Sequence, residues 1–388
     1  MKALLLLPAM VFVLPCQAQD EKPGPSALEV PPVIEVMDKA VGAKEISGAV
    51  TFVGDKDGIV FSSANGFADL GKKTAMEKDS IFWIASMTKP ITGTAVMMMQ
   101  EAGKLSVDDP VSKYLPEFKD LKDAEGKPVT ITIRQCLTHS SGLSDVRGPE
   151  VEGVATLKDL MPRIVAKPVK FAPGSKWEYC QSGINAAGRI VEVVSGEDYP
   201  AFLAKHLFEP LGMKDTTFYP SVAQAARIAT SYKRTDAGAL EKTGLSFLGN
   251  KAVTSKDRYP LANGGLFSTA EDYGKFGRMI LRGGELDGKR YLKEESVKQM
   301  TTVQSGDLKT GFTPGNGWGL GWCVIREPQG VTAAVSPGTY GHGGAYGTQA
   351  WIDPVKERVY VMLVQRADFP NSDGSGLRKA FQEAAAGL

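Results

Sequence analysis

The sequence predicts an α+β fold: a central antiparallel sheet built from N- and C-terminal segments, flanked by helices, with an inserted and mainly helical lobe. Two observations carry this prediction. Runs rich in β-branched and aromatic residues, bounded by turn residues, occur near both ends of the chain, whereas residues from about 108 to 218 place apolar positions at helical spacing. The short connections between neighbouring strands favour antiparallel pairs, and the strand–helix alternation of a parallel sheet is missing from the pattern.

The N-terminal half begins with a hairpin and a helix. Residues 46–70, "ISGAVTFVGDKDGIVFSSANGFADL", contain two β-rich runs around the turn residues Asp57-Gly58. Residues 82–103, "FWIASMTKPITGTAVMMMQEAG", follow as a helix that Gly103 is expected to end.

The C-terminal half returns to strands. Residues 234–260 are polar and irregular, and we expect them to form a loop that faces the substrate. A helix is predicted after Ser268, as N-cap, with Glu271 at capping-box spacing. The runs "GTQAWID" and "RVYVMLVQ" then predict an antiparallel strand pair, and "GLRKAFQEAAAGL" predicts a final amphipathic helix.

The N-terminus predicts export. Residues 1–18 contain one lysine, an apolar run and then small residues, which is typical of a signal peptide cleaved after Ala18. Residues 19–32 form a Pro-rich linker, and residues 33–388 form the folded domain. A lipid anchor on Cys16 is the less favoured alternative, because a proline precedes it. We therefore expect a periplasmic or secreted protein without a transmembrane anchor.

Composition excludes several classes of function. The 388 residues are 43% hydrophobic and carry 45 Lys and Arg against 44 Asp and Glu, a net charge of +1, so nucleic acid is not an expected partner. The three histidines lie far apart, and His139 is expected to be structural, so we expect no metal and no other cofactor. After signal cleavage Cys136, Cys180 and Cys323 remain, an odd number that allows at most one disulfide and favours buried thiols.

Ser86 and Lys89 are the first candidate catalytic residues. On a helix, residues three apart share one face, and a lysine held neutral can take the proton of a serine hydroxyl. The start of a helix adds free N–H groups and positive potential, which stabilise a developing anion. The apolar residues on both sides of the pair predict that it is buried, and a buried lysine is rare without a function.

Two later stretches extend this pattern into a family resemblance. They are "PGSKWEYCQSGINAAG", which contains Tyr179, and "GHGGAYGTQAWIDP", which contains His342, Gly343 and Gly344. With Ser86-x-x-Lys89, this order resembles the serine β-lactamase and penicillin-binding-protein-like superfamily, in its class C β-lactamase, D,D-peptidase and esterase branch. The stretches "LTHSSGL", "PLGMKDTTF" and "NGGLFSTAEDYGKF" also fit that branch.

The resemblance implies a role for each matching position. Ser86 would be the nucleophile that forms an acyl-enzyme, with Lys89 and Tyr179 exchanging its proton. The backbone N–H groups of Ser86 and Ala345 would form the oxyanion hole, with Ala345 on the edge strand of the sheet. The implied substrate-binding residues are Gln181, His342, Gly343 and Gly344.

Two departures from the family pattern bear on the substrate. Gln181 stands where the family usually has asparagine, and His342 stands where true lactamases often have lysine, so the fixed positive charge for a substrate carboxylate is missing. We therefore expect hydrolysis of a small-molecule or peptide substrate, with esters and D-amino-acid amides or peptides slightly favoured over β-lactams. The alternative is a non-catalytic binding or sensor domain on the same fold, against which the intact Ser86, Lys89 and Tyr179 argue.

Overall fold

The computed structural model describes residues 30–311, 313–369 and 374–388. The folded body is Pro32–Leu388. The predicted signal peptide and nearly all of the predicted linker lie outside the described residues. The first helix begins at Pro32, the last residue assigned to that linker.

A large antiparallel sheet organises the protein. Its eight strands run in the order β10-β11-β12-β13-β14-β1-β2-β3, and neighbours in this sheet pair antiparallel. β1 near the N-terminus pairs with β14 near the C-terminus, for example Phe52 with Val361. This confirms the predicted α+β class and the joint origin of the sheet. The strands are β1 Gly48–Gly54, β2 Ile59–Asp69, β3 Thr74–Ala75, β4 Phe82–Trp83, β5 Tyr232–Arg234, β6 Leu240–Lys242, β7 Phe267–Ser268, β8 Glu285–Leu286, β9 Lys289–Arg290, β10 Asn316–Trp318, β11 Cys323–Ile325, β12 Tyr340–Gly343, β13 Gln349–Asp353, β14 Arg358–Val364 and β15 Arg366–Ala367.

Helices cover both faces of this sheet. Successive residues of β1 point to opposite faces and all are buried, so Phe52 lies in one hydrophobic core and Val53 in another. The first and last helices, α1 and α11, pack together on the Val53 side, and α9 packs against β1 and β14 on the Phe52 side. The helices are α1 Pro32–Gly42, α2 Thr88–Glu101, α3 Ile133–Leu137, α4 Leu157–Val165, α5 Gln181–Ser195, α6 Tyr199–Leu203, α7 Glu209–Leu211, α8 Val222–Ala225, α9 Ala270–Leu281, α10 Glu294–Thr301 and α11 Gly376–Ala385.

The predicted hairpin and the predicted C-terminal strand pair both form. In the hairpin turn, the Asp55 carboxylate accepts from the N–H groups of Asp57 and Gly58, at 2.7 and 2.8 Å. The irregular stretch 234–260 contains one short element, β6, which pairs with β5.

Two predicted helix starts were wrong by a few residues. Phe82–Trp83 is strand β4, paired with β7, and a 3₁₀ turn at Ala85–Met87 separates it from α2. Ser268 lies in β7, so Thr269 is the N-cap of α9 and its side chain accepts from the Asp272 N–H at 3.1 Å. In both places strand pairing holds the backbone extended, and the helix starts after it.

Helix α2 is seated by a close approach between backbones. A Cβ on Gly93 would lie 2.2 Å from the Leu320 carbonyl oxygen, so only glycine allows the helix to pass this turn. Within the described residues, no helix is long and apolar enough to cross a bilayer.

Candidate active site

Ser86 lies in the tight turn that joins strand β4 to helix α2. The turn is held by the Met87 N–H, which donates to the Ile84 carbonyl at 3.1 Å, and by the Thr88 hydroxyl, which donates to the Ala85 carbonyl at 2.7 Å. Ala85 has φ +46°, a conformation that is strained for a residue with a side chain. This turn leaves Ser86 partly exposed at the start of α2 although its neighbours Ala85 and Met87 are buried.

Lys89 is fully buried one turn later. Its Nζ lies 2.9 Å from the Ser86 hydroxyl oxygen and 2.7 Å from the Asn263 carbonyl oxygen. The predicted pairing of Ser86 with Lys89 is therefore present in the structure, with the amine in reach of the hydroxyl proton.

Tyr179 stands beside this pair, just before helix α5. The Lys89 Nζ lies 4.7 Å from the centroid of its ring, and the hydroxyl lies 3.3 Å from Nε2 of His342. The other side of the ring is packed by His139, at a centroid distance of 4.5 Å, and by Trp318, at 5.9 Å. The structure thus brings together three segments that are far apart in sequence.

His342 is buried and held in one tautomer. Its Nδ1 lies 2.5 Å from the Gly343 carbonyl oxygen, which can only accept, so Nδ1 carries the proton and Nε2 is left to accept from Tyr179. Burial, together with the positive charge of Lys89, lowers its pKa to about 3. The sequence suggested a histidine that is charged in part near neutral pH, whereas this environment keeps it neutral.

Gln181 is tied to the same network through Asn263. The Asn263 side-chain amide donates to Gln181 Oε1 at 2.8 Å, while its backbone carbonyl accepts from Lys89. The N–H groups of Gln181 and Ser182, at the start of α5, donate to the Asp145 carboxylate at 2.6 and 3.2 Å. A substitution at Gln181 would therefore be felt at the carbonyl that holds Lys89.

The glycines after His342 bring strand β12 against the turn of Ser86. A Cβ on Gly344 would lie 2.1 Å from the Thr348 hydroxyl oxygen and 2.5 Å from the Ile84 carbonyl oxygen. Gly343 ends β12 and is buried. The position of Gly344 requires glycine, because the Ile84 carbonyl and the Thr348 hydroxyl approach its backbone closely.

The expectation that Ala345 lies on an edge strand was wrong. β12 is flanked by β11 and β13, and Ala345 follows it in a 3₁₀ turn, Ala345–Gly347, where it is exposed. Only the end of β12 lacks a paired neighbour on the β11 side, because β11 pairs with Tyr340 and Gly341 but not with His342 or Gly343.

Several residues of this site were not identified from the sequence. Asn263 holds Lys89, and Asp145 holds the start of α5. His139, predicted to be structural, has φ +60° and its Nδ1 accepts from the Cys180 N–H at 3.1 Å. The only signal for Asn263 was its place in the "NGG" stretch that also carries the family resemblance.

The cysteines are buried, as predicted. Cys136 and Cys180 are free thiols, and burial raises the pKa of the Cys136 thiol to about 12. Cys323 is buried in β11. Among the described residues, no cluster of three or more His, Cys, Asp or Glu could hold a metal ion.

Comparison with known proteins agrees with the fold. The Beta-lactamase family model matches residues 33–385. Protein Rv1367c of Mycobacterium tuberculosis is 33% identical over 351 residues, covering 82% of this chain and 86% of its own. Esterase EstB of Burkholderia gladioli is 28% identical over 348 residues, covering 82% and 86%. The structure of EstCE1, a hydrolase with promiscuous acyltransferase activity, superposes with a TM-score of 0.78 at 26% identity, over 92% of this chain and 97% of that one. The chain therefore belongs to the Beta-lactamase family and is a hydrolase of this fold.

Proposed function

We propose that the protein is an exported serine hydrolase that acts through an acyl-enzyme on Ser86, on esters or D-amino-acid amides in preference to β-lactams. The observation that carries the proposal is the buried Lys89 amine, 2.9 Å from the Ser86 hydroxyl oxygen. A lysine buried at this distance from a serine has a chemical use, whereas a binding domain gains nothing from it.

The proposed reaction has two steps. The Ser86 oxygen bonds to the substrate carbonyl carbon, its proton passes to the Lys89 amine or to Tyr179, and the resulting oxyanion is held by the N–H groups of Ser86 and Ala345. The bond to the leaving group then breaks, and the leaving group takes the proton. Water then attacks the acyl carbon and gives a proton to the same base, the bond to the Ser86 oxygen breaks, and Ser86 takes that proton as the acid is released.

The preference for neutral substrates rests on His342. Because its pKa is lowered to about 3, it offers no positive charge to a substrate carboxylate at neutral pH. Its Nε2 also faces the Tyr179 hydroxyl, so it is placed to accept from that phenol. The similarity to Esterase EstB supports an ester as substrate.

Export is proposed from the leader-like residues 1–18 alone. Sequencing of the mature N-terminus after expression with the full leader tests it. A chain that begins at Gln19 in the exported fraction is expected, and an unprocessed chain in the cell interior contradicts it.

Intact-protein mass spectrometry tests the nucleophile. The wild-type protein should form a one-to-one adduct with a fluorophosphonate, and Ser86→Ala should not. Ser144→Ala is the control and should form the adduct, because it alters a serine whose hydroxyl donates to the Pro168 carbonyl. A panel of a nitrophenyl ester, a D-alanyl-D-alanine peptide and a chromogenic cephalosporin should then give the highest kcat/KM for the ester. No adduct with any acylating probe would favour the non-catalytic alternative, and fastest turnover of the cephalosporin would overturn the proposed preference.

A further inference from the structure

Tyr346, the residue after the proposed oxyanion donor Ala345, has an unusual backbone conformation. Its φ and ψ are 68° and 14°, in the left-handed region that favours glycine. A tyrosine in this conformation is strained, and such strain persists only where the surrounding contacts determine it. A backbone hydrogen bond closes this turn, from the Gly344 N–H to the Thr348 carbonyl at 2.7 Å, and the Tyr346 side chain adds further contacts.

The Tyr346 phenol reaches loop 243–258, which follows strand β6. Its hydroxyl donates to the Gly244 carbonyl at 2.8 Å and accepts from the Ser246 N–H at 3.2 Å. Both partners are backbone groups, so this contact depends on the path of the loop and not on its side chains. A single side chain thus ties the turn of Ala345 to the loop.

An aromatic cluster connects the same loop to the turn of Ser86. The edge of the Tyr346 ring meets Trp83 at a centroid distance of 5.1 Å, and Phe247 from the loop stacks on Trp83 at 4.7 Å. The Trp83 indole donates to the Gly264 carbonyl at 2.7 Å, and Gly264 lies against the backbone of Ala85. The strained turn that presents Ser86 and the strained turn that presents Ala345 therefore share one support.

The far end of loop 243–258 is anchored separately. The Arg258 guanidinium is buried, lies over the rings of Tyr219 and Phe247 at 4.8 and 5.3 Å, and donates to the Phe218 carbonyl. Because the contacts of Arg258 with Phe218 and Tyr219 do not involve Tyr346, loss of the phenol contact should release the first part of the loop and leave its end in place.

We propose that Tyr346 is a positioning residue, whose phenol holds the turn of Ala345 against docked loop 243–258 and so keeps the oxyanion donor aimed at the Ser86 site. This inference rests on the proposed function. It gives loop 243–258 a role in stabilising the transition state, in addition to the substrate-facing role predicted from its irregular sequence. It also predicts that Tyr346 affects turnover more than substrate binding, since the oxyanion forms only during the reaction.

The test is Tyr346→Phe, which keeps the ring and removes the two hydrogen bonds. Tyr291→Phe is the matched control, because its hydroxyl donates to the Pro210 carbonyl at 2.7 Å, outside the contacts described for the site. On a nitrophenyl ester, Tyr346→Phe should lower kcat about tenfold with KM nearly unchanged, less than the full loss of an oxyanion donor costs. The control should keep both constants.

Hydrogen–deuterium exchange gives a readout independent of activity. In Tyr346→Phe the amides of residues 244–247 should exchange faster, while those next to Arg258 keep their protection, and Tyr291→Phe should leave both unchanged. Unchanged exchange together with unchanged kcat overturns the inference, and faster exchange with unchanged kcat shows a purely structural tie and overturns it as well. A wild-type protein without activity on any ester would overturn the proposed function, which is a different result.

Discussion

Lys89 is the residue around which the charges of the site are arranged. Its amine contacts the Ser86 hydroxyl and the Asn263 carbonyl and faces the Tyr179 ring. Burial first, and then its positive charge, lower the pKa of His139 and of His342. The buried Lys89 amine therefore lies among groups that accept from it or stay neutral beside it.

Replacing Lys89 by methionine tests this arrangement. Lys89→Met keeps the length of the side chain and removes the amine, so the rate of Ser86 labelling by a fluorophosphonate should fall by about 100-fold or more. Lys205→Met, which alters a lysine with 65% exposed side chain paired with Glu197, is the control. Circular dichroism confirms that both variants fold, and labelling of a folded Lys89→Met at nearly the wild-type rate would contradict the role.

The candidate residues Ser86, Lys89 and Tyr179 could be predicted from the sequence. The residues that hold them in place could not. The first two are three residues apart, and each of the three lies in a recognisable motif. The Asn263 carbonyl accepts from Lys89 although the two residues lie 174 positions apart in the sequence, so this contact forms only on folding. The tautomer of His342 depends on a backbone carbonyl and on burial, neither of which a residue type reveals.

Helix α5 is the element whose start sets the position of Tyr179. The side chain of its N-cap residue, Cys180, makes no capping hydrogen bond. Instead, the carboxylate of Asp145, 36 residues before Gln181 in the sequence, accepts from the Gln181 N–H. A carboxylate at this end also interacts favourably with the helix dipole.

Removing this cap should destabilise the protein. Asp145→Ala leaves two N–H groups at the start of α5 without their acceptor, and we expect a loss of about 1–2 kcal/mol in the free energy of unfolding by urea. Asp145→Asn keeps an acceptor oxygen and should lose clearly less. Equal stability of the wild type and both variants would show that water replaces the carboxylate at no cost.

Long strands could be predicted from the sequence, whereas short strands could not. β1, β2, β13 and β14 have five to eleven residues, which is enough to show a β pattern. β10 and β11 have three residues each, too few for any period, and their presence is what moves β12 away from the edge of the sheet.

At the scale of the whole molecule, the two buried histidines should make stability depend on pH. Both have a pKa below the ordinary value of 6.5, and that of His342 is about 3. Below pH 6.5 the unfolded chain therefore binds protons that the native state does not, and stability falls as pH decreases from 6.5. Each histidine contributes a slope that approaches about 1.4 kcal/mol per pH unit in this window.

Urea unfolding of the wild type and of His342→Gln between pH 7.5 and 5 measures this slope. The variant should lose the part of the slope that one buried histidine contributes. If His342→Gln unfolds with the wild-type slope, His342 is protonated in the native state.

Because β1 and β14 lie roughly 300 residues apart along the chain, β1 cannot gain this neighbour until nearly the whole polypeptide has been made. Helices between them, such as α5, find their partners α2, α3, α4 and α6 within the first part of the chain and can pack earlier, whereas pairing over the distance from β1 to β14 is slow. In a newly synthesised chain, the hydrophobic strand β1 would thus lack its partner β14 until synthesis is almost complete. Late closure of the sheet would suit the proposed export, in which the chain crosses a membrane before it folds.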